Sequence, residues 1–300
     1  MGHGGVNAVD LKDYNVPGRG RGLADVFRWR YLLKVLVRKA TSTRYRNSAL
    51  GWTWSYARPL VQFLIYWLVM GKILGVDKGI DNFPLYIFSG FVTIQFFNGA
   101  FQQATSSIVA NKALVKKIYM PRELFPVAAV INGFIHFLPQ LAILLVVALL
   151  YGWRPDFIHI GAVLLGLIII GALSLGMGIL FAGINVRYRD ADNFGELIRQ
   201  VVLWLSPVLY PWRLISEALG DVWVYLYFCN PISVAVELMH FGFWSPTVPT
   251  FHATDEVGGW FGFPPAFGWY IGGALVLSLL LLLLGQYTFR RFERTFAQDV

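Results

Sequence analysis

Charged residues are scarce in this sequence. Asp, Glu, Lys and Arg make up 14% of its 300 residues, 56% of the residues are hydrophobic, and the mean hydropathy is +0.56. A soluble globular domain carries roughly 25% charged residues, whereas a membrane protein needs fewer because lipid cannot solvate them. The composition therefore excludes an ordinary soluble domain and predicts an all-α integral membrane protein with no room for a large soluble domain.

Cysteine is nearly absent as well. Cys229 is the single cysteine, so an internal disulfide is excluded and cysteine usage says nothing about the redox compartment. Residues 1–22 are Gly-rich and polar, without the apolar run of a cleavable signal peptide. We expect them to form a flexible cytoplasmic N-terminus, and the first span to direct insertion.

The motifs of catalysis are also missing. No Lys is followed by Ser or Thr, which excludes a Walker A loop, and there is no H-E-x-x-H motif, cysteine pair or nucleophile elbow. The scattered histidines predict no metal site and no cofactor on this chain. Asp190-Ala191-Asp192 could hold a metal and a sugar nucleotide, but we favour ion pairs of these acids with Arg187 and Arg189.

Six segments are predicted to cross the membrane as helices, since a span needs about 20 mainly apolar residues. They cover residues 54–74, 83–110, 124–151, 157–184, 200–212 and 263–289. The fifth is short and contains Pro207 and Pro211, which distort or stop a helix. Residues 214–239, broken at Asn230-Pro231, are interpreted as a re-entrant helical hairpin; the alternative is two ordinary spans and seven in all.

The basic residues predict the orientation. With six spans, 21 of the 25 Lys and Arg residues fall on one side, which leaves Lys72, Lys78, Arg154 and Arg213 on the other. The positive-inside rule then places both termini in the cytoplasm. The net charge of +8 thus reflects topology and membrane lipids, and we expect no nucleic acid as a partner.

Ahead of the first span, residues 23–39 have an amphipathic helical pattern. Arg30, Lys34 and Arg38 recur every four residues beside a face that includes Trp29. A basic amphipathic helix with tryptophan predicts a membrane-interface helix; the alternative is a solvated helix. We therefore divide the chain into an interface helix and linker (23–46), a transmembrane domain (47–290) and a cytoplasmic tail (291–300).

Aromatic residues crowd the first span, the fifth span and the hairpin. Some belong to the aromatic belt at the membrane interface, but ring faces can also stack on the C–H faces of sugars. Both interpretations stay open for any single residue. The residues that we expect to line a channel and its outer gate are Tyr56, Tyr66, Trp204, Tyr210, Tyr225 and Phe228.

Several motifs together resemble ABC-2 type permeases that export polysaccharides such as O-antigen, teichoic acid and mycobacterial galactan. The first is RYRNSALGWTW at 44–54, followed by Arg58-Pro59-Leu60. The others are NKALVKK at 111–117, PRELFP at 121–126, YRD at 188–190, SPVLYP at 206–211 and Asn230-Pro231. The Gly-rich N-terminus and residues 241–265 are most similar to the galactan branch.

This resemblance implies a homodimer in the bacterial inner membrane, joined to two copies of an ABC ATPase subunit, which would hold the ATP and Mg²⁺. The exported substrate would be a polyprenyl-diphosphate-linked glycan, a precursor of cell-wall galactan. The chain itself would not be an enzyme. Two alternatives are an ABC-2 exporter of a drug or small lipid, and a membrane glycosyltransferase.

The short basic segment after the second span is the candidate contact with the ATPase. Apolar residues lie among lysines there, as in a helix that docks in a groove on a partner. The predicted coupling residues are Asn111, Leu114, Val115, Lys116, Lys117 and Ile118.

Overall fold

A computed structural model describes residues 22–44, 51–117, 120–248, 262–293 and 296. The predicted flexible segment 1–22, apart from its last residue, lies outside the described residues, as do Ile118 and most of the tail 291–300. Within the described residues the secondary structure is helical, with no strand.

Twelve α-helices are described. They are α1 (Leu23–Arg28), α2 (Arg30–Arg44), α3 (Trp54–Tyr66), α4 (Phe83–Ala110), α5 (Lys112–Lys117), α6 (Leu124–Leu150), α7 (Phe157–Arg187), α8 (Asp190–Trp204), α9 (Arg213–Leu219), α10 (Asp221–Phe228), α11 (Pro231–Met239) and α12 (Phe267–Phe292). A π-helical segment, Trp67–Ile73, continues α3, and a second, His240–Trp244, continues α11.

Three described helices are long and apolar enough to cross a membrane: α6, α7 and α12. A fourth is obtained if α10 and the stretch Pro231–Thr247, which meet at 91°, form one broken span. The same bend fits a re-entrant loop, since Asn230-Pro231 interrupts the helix at this point. The count of six spans therefore stays a prediction.

Helix α4 lies at the centre of the bundle and packs against α6, α7 and α11. Its phenylalanines, including Phe97 and Phe101, are fully buried. Gln95, Asn98 and Gln102 interrupt its apolar sequence and lower its hydropathy. Protein neighbours, rather than lipid, thus surround much of this helix.

Helices α7 and α12 approach each other closely at glycine residues. A Cβ atom at Gly285 would lie 2.4 Å from the carbonyl oxygen of Gly176, and one at Gly176 would lie 2.6 Å from the backbone nitrogen of Leu282. Helices in lipid associate through such small residues, because backbones then approach and pack directly. These glycines fix the last span against the longest helix.

A second core lies at the end of the bundle next to α5. Val26 and Leu36 of the N-terminal helices are buried there with Val115, Leu124 and Phe289. The amphipathic N-terminal segment is therefore packed onto the ends of the long helices.

The structure corrects the sequence analysis around α8. The fifth span was expected to begin at residue 200, after a connection from residue 184, but a helix begins at Asp190 and continues to Trp204. Asp190 and Asp192 lie in its first turn, where negative side chains stabilise a helix. They form no ion pair within 4 Å with Arg187 or Arg189, so that expectation was wrong. Beyond Trp204 the predicted fifth span becomes irregular, at Pro207 and Pro211.

Candidate functional site

A polar groove opens between α3, α4 and α6, with a volume of about 680 Å³. We call it the polar groove. Its lining residues are Trp54, Ser55, Arg58, Pro59, Gln62, Gln95, Phe96, Gly99, Gln102, Gln103, Gly133, His136, Phe137 and Gln140. Five of them are glutamines, on helices α3, α4 and α6, so the groove is polar although the surrounding helices are mainly apolar.

The glutamines connect the three helices. The Nε2 atom of Gln95 on α4 donates to Oε1 of Gln62 on α3 over 2.9 Å. Gln140 on α6 lies 3.5 Å from the carbonyl oxygen of Ser55, and its own Oε1 is buried without a hydrogen-bond partner. A buried amide without a partner is costly, so Gln140 offers an acceptor to a ligand that enters the groove.

One end of the polar groove combines a cation with an aromatic ring. The Arg58 guanidinium lies 5.6 Å from the centre of the Trp54 ring. Close by, Ser55 Oγ and His136 Nδ1 are 3.3 Å apart and buried. Phe96 and Phe137, with ring centres 5.0 Å apart, form an apolar part of the wall.

This set of groups suits binding and passage rather than covalent chemistry. Amides, a hydroxyl and a guanidinium can hydrogen-bond to hydroxyl groups, and aromatic rings can stack on apolar faces. Among the described residues, no group of three or more His, Cys, Asp or Glu side chains could hold a metal ion. A ligand with many hydroxyl groups could therefore hydrogen-bond to the amides of the polar groove and stack on its rings.

Five of the six predicted channel aromatics, all except Tyr56, are not among the residues that line the polar groove. Tyr66 is half-buried against Phe91, with ring centres 5.8 Å apart, and the Tyr56 side chain is not described. Tyr210 donates its hydroxyl hydrogen to the carbonyl oxygen of Trp204, whose ring is exposed. Their role in a channel stays a prediction.

The two aromatics predicted on the hairpin have different surroundings. Tyr225 is exposed, with its ring centre 6.5 Å from that of Tyr270. Phe228 is only 1% exposed and packs between Trp212, Phe267 and Tyr270. In the single subunit, Phe228 therefore belongs to the core, where it fixes α10 to α12.

A second buried polar cluster holds the irregular stretch after α8 in place. The Tyr86 hydroxyl of α4 donates to the carbonyl oxygen of Pro207 over 2.9 Å. The Tyr86 ring stacks on His240 at 3.9 Å, and His240 Nδ1 lies 3.7 Å from Glu237 Oε2. Pro207 and Pro211 thus interrupt the helix, and the hydrogen bond from Tyr86 holds the backbone of Pro207 in place.

The short helix α5 places the predicted coupling residues in different surroundings. Lys116 and Lys117 are exposed, and Leu114 is half-buried at the edge of the second core, so all three reach the surface. Val115 is only 7% exposed and packs inside the second core, so it is not available at the surface. Asn111 accepts a hydrogen bond from Lys39 of α2 over 3.3 Å, which joins this segment to the N-terminal helix.

The predicted interface segment is helical, as α1 and α2, and its place at the membrane interface stays a prediction. Arg30, Lys34 and Arg38 are exposed, and so is the edge of Trp29, whereas Leu36 is buried. The segment thus presents basic side chains outward, together with the exposed apolar residues Phe27 and Tyr31, and packs Leu36 against the bundle.

Comparison with known proteins identifies the family. The profile described as ABC-2 type transporter matches residues 31–244, which include the polar groove, the coupling segment and the bent helix pair. The chain belongs to the ABC-2 type transporter family. It is therefore a multi-pass membrane protein of transporter type.

Several named permeases are similar to this ABC-2 chain. An O-antigen export system permease protein of Klebsiella pneumoniae is 29% identical over 204 residues, which cover 67% of this chain and 76% of the relative. Its counterpart in Myxococcus xanthus is 27% identical over 197 residues, or 66% and 75%. A capsule polysaccharide export inner-membrane protein of Neisseria meningitidis is 20% identical over 270 residues, or 88% and 91%.

Sequence reasoning missed the polar groove of this ABC-2 chain. Gln95, Gln102 and Gln103 were visible as amides in an uncharged segment of span length, and such residues are expensive in lipid and often functional. That signal could have identified the α4 wall. The partners Gln62 and Gln140 lie on other helices, and only the packing of α3, α4 and α6 brings them together.

Two acidic residues are buried where α12 ends. Glu123 is fully buried and accepts a hydrogen bond from Gln286 over 3.0 Å. Glu293 lies just beyond α12, and its carbonyl oxygen accepts a hydrogen bond from Arg122. Burial, with a smaller contribution from the charge of Glu123, raises the pKa of Glu293 to about 7, although Arg122 and Arg290 oppose the shift.

This raised pKa predicts a pH-dependent stability. The folded protein keeps the proton on Glu293 up to about pH 7, whereas an unfolded carboxyl releases it near 4.5. Stability should therefore fall as pH rises between these values and level off above them. Glu293→Gln should raise the melting temperature at pH 8 by about 2–4 °C, and much less at pH 5.

Thermal unfolding of the purified protein in detergent at both pH values measures this effect. Glu217→Gln, at an exposed position on α9, is the matched control and should leave the pH dependence unchanged. An unaltered pH profile in Glu293→Gln would show that another group titrates.

Proposed function

We propose that this chain is the membrane-spanning subunit of an ATP-driven exporter of a lipid-linked polysaccharide, which carries its substrate from the cytoplasm to the outer face of the inner membrane. The observation that carries the proposal is the polar groove, a hydroxyl-binding surface among apolar helices. The printed functions of the relatives, O-antigen and capsule polysaccharide export, support the substrate class.

The proposed assembly contains two copies of this chain and two ABC ATPase subunits. An ATPase partner is required by the proposal because the sequence contains no phosphate-binding loop. A two-fold dimer doubles the number of helices around a pathway. Both termini would lie in the cytoplasm, in accord with the distribution of Lys and Arg.

The proposed substrate is a polyprenyl-diphosphate-linked galactan precursor. Its polar sugar chain would follow surfaces such as the polar groove, while the lipid stays in the membrane. Depletion of the protein should cause this glycan to accumulate in the cytoplasmic leaflet, where mass spectrometry of extracted lipids can identify its sugars. Accumulation of another lipid-linked glycan would correct the galactan assignment and leave the exporter proposal intact.

Glutamine-to-leucine changes test the polar groove directly. Replacing Gln95, Gln102 and Gln140 together removes hydrogen-bonding groups but keeps the side chains compatible with lipid. Each lost hydrogen bond weakens binding by about 1 kcal/mol. A rise of about 1.4 kcal/mol in the activation free energy slows a process tenfold. We expect polysaccharide export to slow by about 10- to 100-fold.

The measurement is the appearance of glycan outside the membrane in cells with equal amounts of inserted protein. Gln200→Leu, at an exposed position on α8, is the control and should export normally. Alanine at Tyr66, Trp204 and Tyr210 together tests the aromatic path in the same assay. Normal export by the triple leucine variant would exclude the polar groove as the pathway.

A further inference from the structure

A second groove lies between the interface helix α2 and the span α6, with a volume of about 460 Å³. We call it the interfacial groove. It is lined by Leu33, Lys34, Val37, Arg38, Thr41, Ser42, Ile131 and Ile135. Two aliphatic side chains from each helix form its walls, so its interior is apolar.

Two cationic side chains lie at the edge of the interfacial groove. Lys34 and Arg38 are both exposed and lie one helical turn apart on α2, where side chains four residues apart are neighbours. Within the part of the chain that the structure describes, neither has a carboxylate within 4 Å. The pair therefore presents two positive charges directly beside an aliphatic surface.

This combination matches the chemistry of an anionic lipid. A basic amphipathic helix lies at the boundary between headgroups and acyl chains, and each Lys or Arg near an anionic leaflet gains about 1 kcal/mol. A phosphate could contact Lys34 and Arg38 while an acyl chain covers Val37 and Ile135. Neither water nor a soluble anion would cover the apolar walls.

We propose that the interfacial groove binds one anionic phospholipid of the cytoplasmic leaflet, with its phosphate at Lys34 and Arg38 and an acyl chain between α2 and α6. This inference goes beyond transport and does not depend on what passes through the polar groove.

The lipid site is connected to the polar groove through three side chains. Thr41, which lines the interfacial groove, donates from Oγ1 to Oδ1 of Asn132 over 2.8 Å. Asn132 Nδ2 in turn donates to Oε1 of Gln103 over 2.6 Å, and Gln103 lines the polar groove. A bound lipid that holds α2 against α6 thereby also orders one wall of the polar groove.

Lipid retention by the full-length protein tests the proposal. The protein is placed in nanodiscs of phosphatidylcholine with a minority of phosphatidylglycerol, and native mass spectrometry identifies the lipids that remain on the released protein. The wild type should retain one phosphatidylglycerol per chain. Lys34→Gln with Arg38→Gln should weaken this retention by about 30-fold, given two lost cation contacts.

Two matched variants separate a built site from general attraction. Arg28→Gln with Arg30→Gln removes the same charge from exposed positions outside the interfacial groove and should retain the lipid. Ile135→Trp fills the groove while keeping both cations and should lose it. This second variant keeps the test decisive if the Lys34 and Arg38 variant fails to fold.

Three results would overturn the proposal. One is equal loss of phosphatidylglycerol from the two charge-removal variants. Another is equal retention of phosphatidylcholine, which would show a groove indifferent to charge. The last is a polyprenyl diphosphate that displaces the phospholipid when both are supplied, which would assign the groove to the transported lipid instead.

Discussion

Gly285→Val should remove most of the folded protein from the membrane. The new Cβ would lie 2.4 Å from the carbonyl oxygen of Gly176 and 3.2 Å from the backbone nitrogen of Leu180. Backbone atoms cannot give way as a flexible side chain can, so α12 must separate from α7. Overpacking alone costs about 1–3 kcal/mol, and here the close helix approach is lost as well.

The measurement is the monodisperse peak of a fluorescent fusion on size-exclusion chromatography after detergent extraction. Gly272→Val is the matched control, since the same substitution lies on the same helix, at an exposed position with no atom within 4 Å of the new Cβ. We expect it to resemble the wild type. Similar peaks for both variants would mean that α12 does not pack on α7 as described.

The contrast between these glycines shows what the sequence could predict of the fold. The apolar segments at 124–151, 157–184 and 263–289 were recognised because length and hydropathy depend on each segment alone, and helices α6, α7 and α12 confirm them. Gly176 and Gly285 look no different in sequence from Gly272. Their importance comes from a contact between helices that are far apart in the chain.

The region around α8 shows why a boundary was misplaced. The fifth span was placed at residues 200–212, whereas the helix begins at Asp190, because hydropathy and charge along the chain cannot distinguish a connecting loop from the first turn of a helix. Asp190 and Asp192, two acids at a helix start, were the available signal. They were considered as metal ligands or ion-pair partners, and their effect on the helix terminus was overlooked.

The candidate site was partly predictable for a similar reason. A resemblance in motifs predicted the family, which the match over residues 31–244 shows, and aromatic residues drew attention because sugars stack on rings. The glutamines of α4 were given no role, because their hydrogen-bond partners lie on α3 and α6. Val115 was likewise grouped with Leu114, although adjacent residues on a helix face different directions.

Charge reversal on α5 should uncouple ATP hydrolysis from export. Lys116→Glu with Lys117→Glu changes two exposed side chains that make no ion pair within the described residues, so the subunit should still insert and fold. A docking surface with complementary charge would instead meet repulsion, and like charges at an interface cost several kcal/mol. We expect the export rate to fall more than about tenfold, because a rise of about 1.4 kcal/mol in the activation free energy already lowers a rate tenfold.

Neighbouring positions on α5 distinguish docking from folding. Leu114→Asp should also abolish coupling and leave a folded subunit, because Leu114 is only half-buried, whereas Val115→Asp would place a charge in the second core and remove the folded protein. Export, ATPase activity of the assembled complex and the size-exclusion profile are measured together.

Lys78→Glu with Arg154→Glu reverses two exposed charges on the predicted outer side and serves as the control. Export at the control's rate by the Lys116 and Lys117 variant would exclude α5 as the contact that transmits ATP hydrolysis to the membrane subunit.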